Sequence, residues 1–252
     1  VHAVVAAGPA AVAAKLKGSD TAIIMGLVHT MDHVIFAQPG IKQPEDLRGK
    51  KVAVSRFASL DDSAARFAFQ KWGIPERDVA FLQFGEQGSR LAALKAGGVD
   101  ATLIQPPLTV VARKGGFTEL AALADLELDY LGTSVITTQG LIRGREDLIR
   151  RFVRAFVEGI HFYKTNKPAS LASIAKFMRL EDPEALDETY RQYALKLTPR
   201  APYPTLRGIQ TILDDLGKKD SKARAANPSD FAESRFVREL EESGVIKALY
   251  GR

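Results

Sequence analysis

KKVAVSRFASLDDSAARFAFQKWG, residues 50–73, is the stretch from which the fold can be read. Val52, Ala53 and Val54 form a short apolar strand, a polar turn follows, and apolar residues at 64, 65, 68, 69 and 72 then recur at helical spacing. Gly73 stops the helix. Ser59 stands where an N-cap belongs and Asp62 follows three residues later, a capping-box-like pair that places free N–H groups just beyond Ser55 and Arg56. Such a helix end attracts anions. An arginine beside hydroxyls and free amides offers the planar donor fork that carboxylate, sulfonate or phosphate groups match. Two readings of Arg56 stay open here: contact with a ligand, or a surface ion pair with Asp61 or Asp62.

Outward from this unit, strands alternate with helices from residue 1 to 122, the pattern of a largely parallel α/β architecture. Residues 1–7 read as a strand, and Pro9 suits the first position of a small-residue helix that Gly18 stops. Residues 21–25 are a second strand, and residues 29–38 read as extended until Pro39-Gly40. His29 and His33 are four apart, but an extended segment separates them by about 13 Å, too far to share one metal ion. They read as ordinary polar residues. Further strands are expected at 78–84, 99–105 and 117–122, with helices between. The Gly85–Ser89 turn lacks the pattern of a phosphate loop. After a strand at 133–138 the chain reads helical, led by the amphipathic face of Leu148, Ile149, Phe152, Val153, Phe156, Val157 and Ile160.

Composition narrows the function. With 252 residues and 46% hydrophobic content the chain can bury a large core in two lobes. No run approaches the roughly 20 apolar residues of a spanning helix, and the opening residues lack a basic leader. The chain starts with Val rather than Met, so the expectation is a removed leader or a start inside a longer protein. Without cysteine, disulfides, thiolate metal sites and a cysteine nucleophile are excluded. The net charge of +5 arises in residues 132–252, where 21 basic residues are interleaved with 16 acidic ones. That describes a solvated helix surface and argues against a nucleic-acid track.

Several phrases resemble the substrate-binding proteins of ABC transporters for nitrate, sulfonates and taurine. They are GPAAVAAKLKGSD at 8–20, IKQPEDLRGKKVAVSR at 41–56, KWGIPERDV at 71–79, RLAALKAGGVDA at 90–101, QPP at 105–107 and LIRRFVRAFVEGI at 148–160. The resemblance implies the two-lobed α/β architecture of the type II periplasmic-binding-protein fold with a helical C-terminal tail. Lobe one would be 1–39 plus 132–252 and lobe two 40–131, joined by crossings at 31–38 and 133–139. A small, anionic solute would sit in a cleft that closes on binding. The ligand contacts it implies are Gly8, Pro9 and Ala10, then Ser55, Arg56, Ala58 and Ser59, then Gln105 and Pro106, with His33 and Thr137 on the crossings. Relatives often have glycine where this chain has Phe57-Ala58, and a bulkier or acidic residue at Gln105.

The resemblance further implies an extracytoplasmic or periplasmic monomer that serves an ABC transporter membrane permease, with no catalysis, cofactor, nucleic-acid partner or membrane insertion. Relatives carry an additional strand–helix–strand–helix ahead of the segment matching Val1, so lobe one is expected to be incomplete. Residues 3–7 should then present an open, apolar sheet edge through which chains can associate. Two other readings share the fold: a thiamine-pyrimidine-related binding protein or enzyme, whose yeast examples resemble a cysteine-rich iron-dependent type, and the effector-sensing module of a LysR-type transcription regulator.

Overall fold

The computed structural model describes residues 2–57, 59–126 and 128–251. In chain order the first elements are β1 (Val4–Ala7), α1 (Gly8–Leu16), β2 (Thr21–Val28), β3 (Val34–Ala37), β4 (Lys51–Val54) and α2 (Leu60–Lys71). Then come β5 (Ala80–Gln83), α3 (Gln87–Lys95), β6 (Ala101–Ile104), α4 (Leu108–Lys114), β7 (Thr118–Ala122) and β8 (Thr133–Thr138). The helical remainder comprises α5 (Gln139–Gly144), α6 (Glu146–Thr165), α7 (Lys167–Met178), α8 (Pro183–Tyr190), a π-helical stretch at Arg191–Leu197, α9 (Leu206–Gly217), α10 (Ser221–Ala225), α11 (Arg235–Glu242) and α12 (Val245–Leu249).

The chain forms two compact units. The first contains Val1–Thr30, Asp129–Ser173 and Tyr190–Arg252; the second contains Met31–Leu128 and Ile174–Thr189. Residues 31–39 and 129–131 therefore group differently from the expectation, and so does the 174–189 segment. That segment is tied to α4 by long-range polar contacts. Lys114 pairs with Asp182 at 2.7 Å and Glu184 at 3.0 Å, the Thr109 hydroxyl donates to Glu188 at 2.5 Å, and Arg113 also pairs with Glu188.

In the first unit β8 lies between β1 and β2 and is antiparallel to both. In the second the order is β5-β4-β6-β3-β7, with β4 parallel to β5 and β6, and β3 antiparallel to β6 and β7. The parallel expectation thus holds for strands joined by helices, which run in one direction within each sheet, and fails at the inserted strands. β3 and β8 are each the first strand after the chain changes unit. The segments expected as extended crossings, 31–38 and 133–139, carry these sheet strands. A period-two pattern marks a strand without marking its partner.

Each unit has its own core. In the first, Ile149, Val153 and Val157 of α6 pack with Ile24 and Met25 of β2 and Val135 of β8. The second centres on Phe36, Ala53, Leu91, Leu94 and Ile104. Among the described residues β1 pairs with β8 alone, which leaves an edge carrying the half-exposed Val4 and Val5.

Candidate ligand site in the second unit

The sheet pairing of β4 with β5 and β6 brings three strand ends together, and the chain leaves β4 through Ser55, Arg56 and Phe57. α2 begins as its sequence requires. The Ser59 hydroxyl accepts the Asp62 N–H at 3.3 Å, and Ala64, Ala65, Ala68 and Phe69 are buried.

Asp61, in the first turn of α2, folds back onto the turn. Its carboxylate accepts the Ser55 N–H at 2.5 Å, the Ser55 hydroxyl at 2.6 Å and the Ser59 hydroxyl at 2.5 Å. Burial on its own pushes this carboxyl up, but those hydrogen bonds and the nearby Arg90 charge outweigh it and hold Asp61 below the usual carboxylate range. The buried Arg90 stands 3.4 Å from Asp61 and donates to the Leu103 carbonyl through Nε at 3.3 Å and Nη2 at 3.0 Å, and to the Gly85 carbonyl through Nη1 at 2.6 Å. One guanidinium thus braces the carboxyl ends of β4, β5 and β6.

Arg56 is exposed, and its side chain has no hydrogen bond or ion pair with a described residue. The two carboxylates that could have neutralised it are engaged elsewhere, Asp61 as above and Asp62 with Arg66 at 3.0 Å. The N–H groups of Leu60 and Asp61 meet no acceptor among the described residues, as expected at a helix start. Arg56 and that helix end therefore form a cationic surface with donor capacity in hand.

Of the other sequence-derived candidates, Gln105 and Pro106 follow β6. The Gln105 N–H donates to the Gln87 side chain at 3.1 Å, and Pro106 is buried. Ala58 lies outside the described residues. Gly8, Pro9 and Ala10 open α1 in the first unit. Gly8 is there for steric reasons, since a Cβ would lie 2.1 Å from the Leu131 carbonyl oxygen. Thr137, also in the first unit, donates its hydroxyl to the His2 carbonyl at 2.7 Å. The structure therefore gathers Ser55, Arg56 and Ser59 around one turn, while the Gly8 group and Thr137 belong to the other unit.

His33 is buried, with Nδ1 3.7 Å from Asp32, and that nitrogen has no hydrogen bond among the described residues. Burial lowers its pKa, opposed by the charges of Asp32 and Asp61 and reinforced by Arg90. His29, whose ring meets the Gly26 carbonyl at 3.2 Å, is lowered by burial as well. Both imidazoles are held neutral, so the unfolded chain takes up protons first as pH falls below about 6.5. Stability from these two groups is present above that pH and is lost on acidification; that from Asp61 persists until the carboxylate range near 4. Thermal melts should give a steady midpoint above pH 6.5 and a falling one from 6.5 to 5, with a shallower fall in His29→Gln/His33→Gln. A wild-type midpoint that is flat or rises over that interval would contradict the assignment.

The elements that sequence reasoning missed are Asp61 as an internal acceptor and Arg90 as a brace. Asp61 gave a signal only as a first-turn acid, and Arg90 none.

A family model described as NMT1/THI5 like matches residues 2–170. A relative from Brucella abortus (strain 2308) that carries a binding-protein name is 28% identical over 177 residues, which is 69% of this chain and 54% of its own. The chain thus spans about half the length of the curated relatives it matches. Among solved structures, the alkanesulfonate-binding protein SsuA from Xanthomonas axonopodis pv. citri, bound to MOPS, is 18% identical with a TM-score of 0.70, over 90% of this chain and 78% of that one. The desulfurization enzyme DSZB is 14% identical with a TM-score of 0.67, over 96% and 85%. At these identities the likeness is one of fold, that of the periplasmic binding proteins. Among the described residues no helix is long and apolar enough to cross a membrane.

Proposed function

The chain belongs to the NMT1/THI5-like family, and from that premise we propose that it is an extracytoplasmic solute-binding protein that captures a small anion for an ABC importer and delivers it to the membrane permease. The observation that carries the proposal is Arg56, exposed and, among the described residues, without an ion pair, at the carboxyl ends of parallel strands and beside amides of α2 that meet no acceptor among those residues. Ligands of open α/β sheets bind beyond the carboxyl ends of the strands. Ser55 and Ser59 act here by fixing the turn through Asp61, and Arg56 supplies the charge that meets the ligand. The alkanesulfonate-binding name of the Xanthomonas protein and its bound MOPS support a sulfonate as the anion.

A second reading, an enzyme on the same fold, draws on the likeness to DSZB and on the buried His33, Asp61 and Arg90 cluster. Native mass spectrometry of gently purified protein separates the two. Capture predicts a retained small anion, released unchanged on denaturation and absent from Arg56→Ala. A retained species that the protein converts to a product would favour the enzyme, and a neutral retained species would overturn the anionic assignment.

A further inference from the structure

The chain holds three methionines and no cysteine, so its thioethers are the only sulfur that a peroxide can meet. The fold treats the three differently. Met25 is fully buried in the core of the first unit with Ile149, Val153 and Val157 of α6, and Met31, where the second unit begins, is 2% exposed. Met178, the last residue of α7, is 46% exposed and stands next to Phe177 at 83%. Neither of these two takes part in the cores described above. The helix end that carries them is closed by backbone alone: Arg179 turns left-handed with φ +52°, and the Leu180 N–H returns to the Ala175 carbonyl at 3.0 Å. The Met178 side chain has no part in that closure.

We infer that Met178 is a reversible oxidation site, the one thioether of the native protein that a peroxide converts to the sulfoxide while the fold stays intact. In that step the sulfur attacks hydrogen peroxide, the O–O bond breaks and an S=O bond forms. The sulfur gives up two electrons, and the second peroxide oxygen leaves as water. A dithiol reductant reverses the change: it returns two electrons, becomes a disulfide and releases the sulfoxide oxygen as water. Exposure decides which sulfur reacts, because peroxide reaches Met25 and Met31 only when their surroundings open, whereas it meets Met178 directly. Burial also decides the consequence. A sulfoxide at Met25 would set a polar oxygen among the apolar side chains of the first unit's core, while at Met178 it faces water and makes the exposed Phe177-Met178 pair more polar. The inference is independent of the reading of Arg56.

The test is oxidation of the folded protein with hydrogen peroxide, followed by peptide mass mapping of each methionine. Met178 should gain its oxygen at least about tenfold faster than Met25 or Met31, and in unfolding concentrations of urea the three rates should converge. Protein oxidised at Met178 alone should melt within about 2 °C of the untreated protein, and the two methionine sulfoxide reductases with dithiothreitol should restore its original mass. Met178→Leu, treated in the same way, should take up no oxygen at the fast rate. Equal rates in the folded protein, or a preference for Met178 that survives unfolding, would overturn the inference. So would a larger loss of melting temperature, an oxygen that the reductases fail to remove, or fast uptake by Met178→Leu.

Discussion

Arg90→Met should lower the free energy of unfolding by about 3–5 kcal/mol, the scale for removing one partner of a buried ion pair. The loss comes less from the pair itself than from what it leaves behind. Burial weighs more heavily on Arg90 than the opposing charges of Asp61 and Glu86, so its pKa is lowered, while Asp61 is held down largely by serine hydroxyls. The methionine variant would strand the Leu103 and Gly85 carbonyls and the Asp61 carboxylate, which Arg90 now serves together. Arg90→Lys should recover only part of the loss, because one ammonium cannot replace a fork that reaches two carbonyls and a carboxylate. Asp61→Asn/Arg90→Met should be more stable than the sum of the single losses, since the uncompensated charge is gone. Urea unfolding at neutral pH reads the parent, the Arg90→Met, Arg90→Lys and Asp61→Asn single variants and the double variant. A methionine variant within about 1 kcal/mol of the parent would remove Arg90 from its bracing role.

What could be read from the sequence were features encoded locally. The α2 spacing, its Ser59 cap and its buried face of Ala64, Ala65, Ala68 and Phe69 follow from residues within one helix length. Arg56 could be picked out for the same reason, as an arginine in a turn before a capped helix. Asp61 illustrates the limit. Its neighbours in sequence mark it as a first-turn acid or a partner for Arg56, and only the approach of Arg90 from α3 shows it turned inward. β3 shows another limit. Its extended character is visible in residues 34–37, but its place as the reversed strand between β6 and β7 depends on partners distant in the chain. The 174–189 segment is legible as helix, yet it joins the second unit through Lys114, Arg113 and Thr109, whose contacts leave no periodic trace. His33 reads from the sequence as a polar residue on an extended crossing; its burial depends on packing that the local sequence does not encode.

Arg56→Ala should weaken anion binding by about 2–5 kcal/mol, roughly 30-fold or more, once the ligand excludes water from the contact. Arg56→Lys should restore part of this, as an ammonium keeps the charge and loses the two-pronged geometry. Neither change should move the melting temperature appreciably, because Arg56 is exposed and pairs with no described residue. Folding and binding are thus separable at this position, unlike at Arg90, where a loss of affinity would be mixed with a loss of structure. The most direct measurement is calorimetric titration of wild type, Arg56→Ala and Arg56→Lys with whichever of benzenesulfonate, benzoate, methanesulfonate or sulfate binds the wild type most tightly. An anion site organised on Arg56 gives affinities in the order wild type, lysine, alanine, with the alanine variant at least about 30-fold weaker; an alanine variant within about twofold of wild type would contradict it.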